Sequence, residues 1–143
     1  MKTSALDNVA GADGALRRES PDAAEFAGLV RSATRRLSDA RNPDNSLESR
    51  FDLAYNAAHA LCLAALRHRG FRANNRYVVF QVIPHTLGFG PDVWKVLAKC
   101  HQIRNQGEYQ GDLHVDDRLV TDLILACEVV ANAVNQLPEI GGR

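Results

Sequence analysis

Between Leu47 and Ala65, apolar side chains recur at Leu47, Phe51, Ala54, Ala58, Leu61 and Ala65, always three or four residues apart. That spacing returns to one face of a 3.6-residue helix and to no face of a strand, so it commits the middle of the chain to a buried helix. Asn45, with Glu48 three residues on, predicts its start as a capping box. Arg67-His68-Arg69-Gly70 predicts its end. Basic side chains favour the carbonyl end of the helix dipole, and glycine lets the chain turn away.

The same period organises the rest. Ser20 as N-cap and Pro21 at the first helical position predict a helix carrying Phe26, Leu29, Val30, Ala33 and Leu37 on one face, closed by Asn42-Pro43-Asp44. Pro91 opens another through Trp94, Leu97 and His101. Asp116 caps a last one, with Val120, Leu123, Ile124, Cys127, Ala131, Val134 and Leu137 facing inward. Tyr77 to Val82 has β-type composition but no strand partner elsewhere, which predicts a short helix ending before Pro84. The predicted fold is all-α, a bundle of four main helices plus a short fifth over residues 20–138. Residues 1–19 are expected to be a flexible arm and 139–143 a frayed tail.

Charge narrows the function. Lys plus Arg and Asp plus Glu both number 17, so any nucleic-acid affinity needs a local patch. Aromatic residues, at 6%, are too few for a broad base-stacking platform. Cys62, Cys100 and Cys127 lie in apolar helical patterns without metal-ligand spacing, as expected of reduced core residues in a cytoplasmic protein. No basic-then-apolar leader is apparent. The apolar run Ala57–Leu66 is far short of the roughly 20 residues that span a bilayer, so no membrane is expected as a partner.

Chemistry concentrates in Lys99-Cys100-His101-Gln102-Ile103-Arg104-Asn105-Gln106-Gly107-Glu108-Tyr109. On a helix His101, Arg104 and Glu108 share one face and Asn105 and Tyr109 a neighbouring one. Arg104 and Tyr109 would stand roughly 140° apart unless Gly107 loosens the turn. The bland alternative is an Arg104–Glu108 pair closing the apolar stripe. Tyr55 and His59, with Asn56, interrupt the central helix in the same way, and buried polar groups need partners, so the two clusters are expected to meet. Arg67, Arg69, Arg72 and Arg76 make the densest basic stretch, read either as helix-end charges or as a phosphate-contacting edge. His59, His85, His101 and Glu108 lack Glu-x-x-His spacing, so neither a metal nor another cofactor is called for. Gly88-Phe89-Gly90-Pro91 lacks the Lys-Ser/Thr of a phosphate loop. Val93, Trp94, Val96, Leu97, Cys100 and Ile103 cover about half the circumference of their helix, more than one packing face requires, and predict a homodimer.

Ala54-Tyr55-Asn56-Ala57-Ala58-His59-Ala60-Leu61, followed by Ile103-Arg104-Asn105-Gln106-Gly107-Glu108-Tyr109 and then a long amphipathic helix, resembles the HEPN superfamily (higher eukaryotes and prokaryotes nucleotide-binding) over roughly Pro21 to Leu137. The resemblance implies an antiparallel helical bundle, commonly dimeric, with the motif helices facing each other across the dimer axis. Many such proteins are metal-independent endoribonucleases of toxin–antitoxin or defence systems; others pair with a minimal nucleotidyltransferase. In the ribonucleases an Arg stabilises the phosphorane while a His moves protons as the 2′-hydroxyl attacks its own phosphate. Arg104 and Asn105 match the Arg-Asn-x-x-x-His motif, but Tyr109 stands at the His position. A phenol with a pKa of about 10 is a poor base at neutral pH. His101, one turn before Arg104, is the nearest substitute, and His114 a more distant one. The expectation is therefore a dimeric module binding a nucleotide, RNA or a protein partner through the Arg104–Tyr109 surface, with Tyr55, His59, Asn105, Arg69 and Arg72 contributing. The alternatives are an endoribonuclease using Arg104, His101 and Tyr109, or a structural dimerisation bundle.

Overall fold

The computed structural model describes Leu6, residues 14–111 and residues 114–141, the side chains of residues 108–110 excepted. Within them the chain is mostly helical. Four long helices, α1 (Ala23–Arg41), α2 (Leu47–His68), α5 (Pro91–Gln110) and α6 (Asp117–Asn135), are joined by two short ones, α3 (Arg76–Gln81) and α4 (Ile83–Thr86). Strands β1 (Leu16–Arg18) and β2 (Phe71–Ala73) form a small antiparallel pair.

Helix α2 is the axis of the fold. Its alanines 54, 57, 58, 60, 64 and 65 are buried together with Phe51, Tyr55, Leu61, Cys62 and Leu66, so it is enclosed on most sides. Helices α1 and α6 pack against it along their length, and α3, α4 and α5 cover the face that carries Tyr55 and His59. Small side chains let the surrounding helices approach closely. Cys62, Cys100 and Cys127 are all buried free thiols, and burial raises the pKa of each, to about 12 for the last two. No helix among the described residues is long and apolar enough to cross a membrane.

The helix starts follow the sequence expectation with small displacements that have visible causes. Helix α1 is capped by Asp22, whose carboxylate accepts from the amides of Ala24 and Glu25 at 2.9 and 3.3 Å. Ser20 does not cap it, because the carbonyls of Glu19 and Ser20 are held outside the helix by Arg67. Helix α2 is capped by Ser46 and not by Asn45, whose amide group instead donates to the Asp39 carbonyl at the end of α1. Asp116 caps α6, accepting from Leu119 at 2.8 Å.

Larger differences lie at the two short elements. Leu16–Arg18, read from sequence as part of a flexible arm, pairs with Phe71–Ala73 in the register Leu16↔Ala73, Arg17↔Arg72, Arg18↔Phe71. The turn at Gly70 (φ +86°) swings the chain from α2 into β2, and Leu16 and Phe71 are buried there. The Tyr77–Val82 run is helical as expected, since Val78, Val79, Phe80, Val82 and Ile83 all turn inward and burial overrides β-propensity. It does not end before Pro84, however. A second short helix starts at Ile83 and carries Pro84 in its first turn, where a missing N–H costs nothing. Among the described residues the chain therefore has two short helices instead of one.

Candidate functional site

Helix α5 runs unbroken through Gly107 and ends at Gly111, whose φ of +72° closes it. Gly107 thus does not loosen the motif turn. The side chains of Glu108 and Tyr109 lie outside the described residues, and the placing of Tyr109 in the site stays with the sequence reading.

The two polar clusters do meet. Asp52, Tyr55, Asn56 and His59 recur at helical spacing on one face of α2; Tyr55 and Asp52 meet His101 and Arg104 of α5, whereas Asn56 and His59 meet Arg76 and Phe80 of α3. Tyr55 is fully buried, and its hydroxyl lies 2.9 Å from Nδ1 of His101. On the other side of the imidazole, Nδ2 of Asn105 is 3.1 Å from Nε2. The imidazole is thus held at both ring nitrogens, by a hydroxyl on one side and a side-chain amide on the other. The imidazole is further boxed by the rings of Phe80 and Tyr77, at 6.0 and 5.7 Å between centroids.

Arg104 packs its guanidinium 5.1 Å above the Tyr55 ring and pairs with Asp52 through Nη1. Its side chain is 26% exposed, and that of Asp52 is half-exposed. Arg76, from the start of α3, comes within 5.7 Å of the same ring and donates to Asn56 at 3.1 Å. Two guanidinium groups on one tyrosine make a local positive face on a chain with no net charge. His59 stands behind this face, edge-on to Phe80. Burial first, then the Arg76 and His101 charges, lower its pKa to about 4, so it is neutral at pH 7 and unsuited to hold a phosphate by charge.

Arg69 and Arg72 are held by other partners. Arg72 is committed to Glu19 and Glu25 at 2.7 and 2.6 Å, and Arg69, exposed beside Gly70, donates to the His85 carbonyl at 3.1 Å. Arg67, from the same basic stretch, is buried in the same ion-pair network. Arg67 and Arg72 join the segment after β1, β2 and the start of α1 to the end of α2, Arg69 ties that end to α4, and Arg72 also lines a small cavity with His59 and Arg76.

Sequence reasoning missed Asp52 and Phe80, and read Arg76 only as one of a basic stretch with Arg67, Arg69 and Arg72. Asp52 precedes Tyr55 by three residues and Asn56 by four, so helical spacing alone puts it on their face. Nothing local marks Arg76 or Phe80; the fold of α3 over α2 brings them in. The apolar surplus read on the motif helix is largely used within the chain, with Leu97 and Cys100 buried and Val93, Trp94, Val96 and Ile103 packed half-buried against the core.

Beside this site a cleft of about 780 Å³ opens along α5, lined by Tyr77, Trp94, Lys95, Lys99, His101 and Asn105 among others. His101 is shared between cleft and polar cluster. No family model matches the chain, and neither curated proteins nor solved structures give a match.

Proposed function

We propose that this chain is a HEPN-like module that binds RNA or a nucleotide through the face built on Arg104, acting as a homodimer. One observation carries the reading: Arg104 stands on the buried Tyr55 ring with its charge at the surface, next to an imidazole held between Tyr55 and Asn105. A guanidinium oriented by a ring and opposed by a half-exposed carboxylate is set for exchange with a phosphate, which it can grip through two parallel N–H donors. The bundle topology, the antiparallel order of the four long helices and the cytoplasmic setting belong to the same reading. So does a nucleotidyltransferase-type protein as an alternative partner. For the homodimer, the exposed apolar pair Leu125 and Val129, one turn apart on α6, offers apolar area in addition to the motif helix.

The test is fluorescence anisotropy of a labelled single-stranded RNA against the intact protein. Arg104→Ala is expected to weaken binding at least tenfold, on the order of the 1.5–3 kcal/mol of a charge-assisted contact, with an unchanged circular dichroism spectrum. Equal binding by wild type and Arg104→Ala would end the reading. Light scattering that returns a monomer mass would remove the dimer.

A second reading, a metal-independent endoribonuclease, is favoured by the position of His101. Its ring, held at Nδ1 by Tyr55 and at Nε2 by Asn105, lines the cleft beside Arg104, and a substrate that displaces the Asn105 amide gains an imidazole nitrogen for proton transfer. It predicts RNA cleavage in the presence of a chelator, leaving 2′,3′-cyclic phosphate ends, abolished by His101→Ala and by Arg104→Ala alike.

A further inference from the structure

We propose that the cleft along α5 seats a nucleotide of a single-stranded RNA, its base against Trp94 and Tyr77 and its phosphate at Lys95 and Lys99. The inference rests on the RNA-binding reading above and assigns it a contact zone separate from Arg104.

Three features carry it. The first is a row of rings: Trp94 stands 6.1 Å from Tyr77 at a steep angle, and Tyr77 stands 5.7 Å from His101. Tyr77 is 42% exposed, unusual for a large aromatic side chain on a well-packed bundle, and Trp94 is half-buried against the core, so one ring is firmly based and the other presents a face. A base has a π-face of matching size, whatever its identity. The second is charge. Lys95 and Lys99 lie one turn apart on the exposed side of α5, no ion pair joins either to a described residue, and no carboxylate is among the described residues lining the cleft. On a chain of zero net charge, that is a local preference for an anion.

The third is shape. The lining runs along α5 from Trp94 to Gln106, about 18 Å at the helical rise, and stays open to solvent along that length. That is longer than one nucleotide and suits a strand laid along the helix. The amides of Gln102, Asn105 and Gln106 continue the lining past the rings and offer donors and acceptors to base edges or sugar hydroxyls. Two rings do not make a broad platform; they make one stacking site with a basic border.

Trp94 is the only tryptophan of the chain, so its intrinsic fluorescence reads the cleft directly. The intact protein is titrated with a short oligoadenylate RNA, with AMP, with inorganic phosphate and with an oligoglutamate peptide. Saturable quenching is expected with the RNA, at least about tenfold tighter than with AMP, and none with phosphate or the peptide. Tyr77→Ala, which keeps the reporter, is expected to weaken RNA binding roughly tenfold, the lower end of what one base stack contributes. Lys95→Glu with Lys99→Glu is expected to weaken it at least as much and to flatten its salt dependence. Circular dichroism verifies the fold of both variants.

AMP binding as tightly as the RNA would overturn the strand assignment, and quenching by the peptide would overturn the ligand class. Anisotropy of the labelled RNA separates the two proposals. Binding that is lost in Arg104→Ala but unaffected by Tyr77→Ala, with a silent Trp94, overturns the cleft and leaves the Arg104 reading standing. Binding that is unaffected by Arg104→Ala but lost in Tyr77→Ala supports the cleft and overturns the role of Arg104. Absence of RNA binding altogether overturns both.

Discussion

Arg67 and Arg104 each project from a long helix beside acidic side chains, and the fold uses them in opposite ways. Arg67 is 2% exposed. Its Nε donates to Glu25, its Nη1 to the Glu19 and Phe71 carbonyls and its Nη2 to the Ser20 carbonyl, with the Glu19 carboxylate at 3.4 Å. Four hydrogen bonds and an ion pair thus hold it, three of the acceptors being main-chain carbonyls fixed by the backbone. Arg104 is 26% exposed, lies on a ring and pairs with a side-chain carboxylate that is itself half in solvent. Carbonyls of the main chain cannot be moved aside by a ligand, whereas an exposed carboxylate can. What separates mortar from a group that a ligand could engage is therefore the identity and burial of the acceptors, since donor chemistry is the same in both.

The strongest way to break this comparison is to remove each arginine and measure stability. Arg67→Met leaves three carbonyls without their donor and the Glu25 carboxylate with Arg72 alone, and such a loss from a buried network costs about 3–5 kcal/mol. Arg104→Ala, partly solvated and losing the Asp52 pair and the Tyr55 contact among others, is expected to cost about 1 kcal/mol. Urea denaturation of the two variants measures both. Leu61→Ala, a fully buried truncation on α2 expected to cost about 2–5 kcal/mol, supplies the scale for a core residue. If Arg104→Ala falls as far as Leu61→Ala, Arg104 is mortar too and its assignment to the site must be withdrawn.

Acid sharpens the contrast, because the two neighbourhoods titrate in different windows. Around Arg67, hydrogen bonds from Arg72 and then Arg67 hold Glu25 below the usual carboxylate range. A depressed carboxylate contributes stability above its unfolded pKa, and the contribution disappears as pH falls through the lower folded value. Near Arg104, burial and the Arg76 charge lower His59 from 6.5 to about 4. The unfolded chain binds that proton first, so stability is complete above about 6.5 and declines as pH drops toward 4, by up to about 3 kcal/mol. Denaturation midpoints between pH 7 and pH 4 should fall in the wild type and fall less in His59→Gln, which cannot titrate. A parallel decline in both would show that His59 is not the group responsible.

The fold of these two neighbourhoods was unequally legible. Helical spacing announces α1, α2, α5 and α6, because a period of 3.6 sustained over several turns has no other physical reading. It also puts Tyr55 and Arg104 on faces that must find partners, and the encounter follows from burying polar groups in a small bundle. The sheet was invisible: three-residue strands have no period, and Leu16 meets Ala73 only because Gly70 turns the chain and Arg67 pulls Glu19 and Ser20 into place. For the same reason Arg72 reads in sequence as one of four similar basic residues. Nothing local tells that Glu19 and Glu25 will converge on it while Arg76 goes to Tyr55. Charges are legible as composition, but their pairing is a property of tertiary structure.

The smallest expected effect tests the exchangeable half of the comparison at its weakest bond. Asp52 holds the Arg104 guanidinium that a phosphate would need, and on the exchange reading a ligand displaces it. Asp52→Asn keeps the shape, removes the competing charge and spares the incoming phosphate a repulsion. An exposed pair of this kind holds about 0.2–1 kcal/mol, so RNA affinity should rise by at most roughly fivefold, and the gain should shrink as salt screens the carboxylate. A fall in affinity would carry the opposite meaning. Asp52 would then be orienting Arg104 over Tyr55, as Glu25 orients Arg67 and Arg72, and the carboxylate would belong to the scaffold. The sign of the change therefore decides whether Arg104 is released on binding or is held in place to bind.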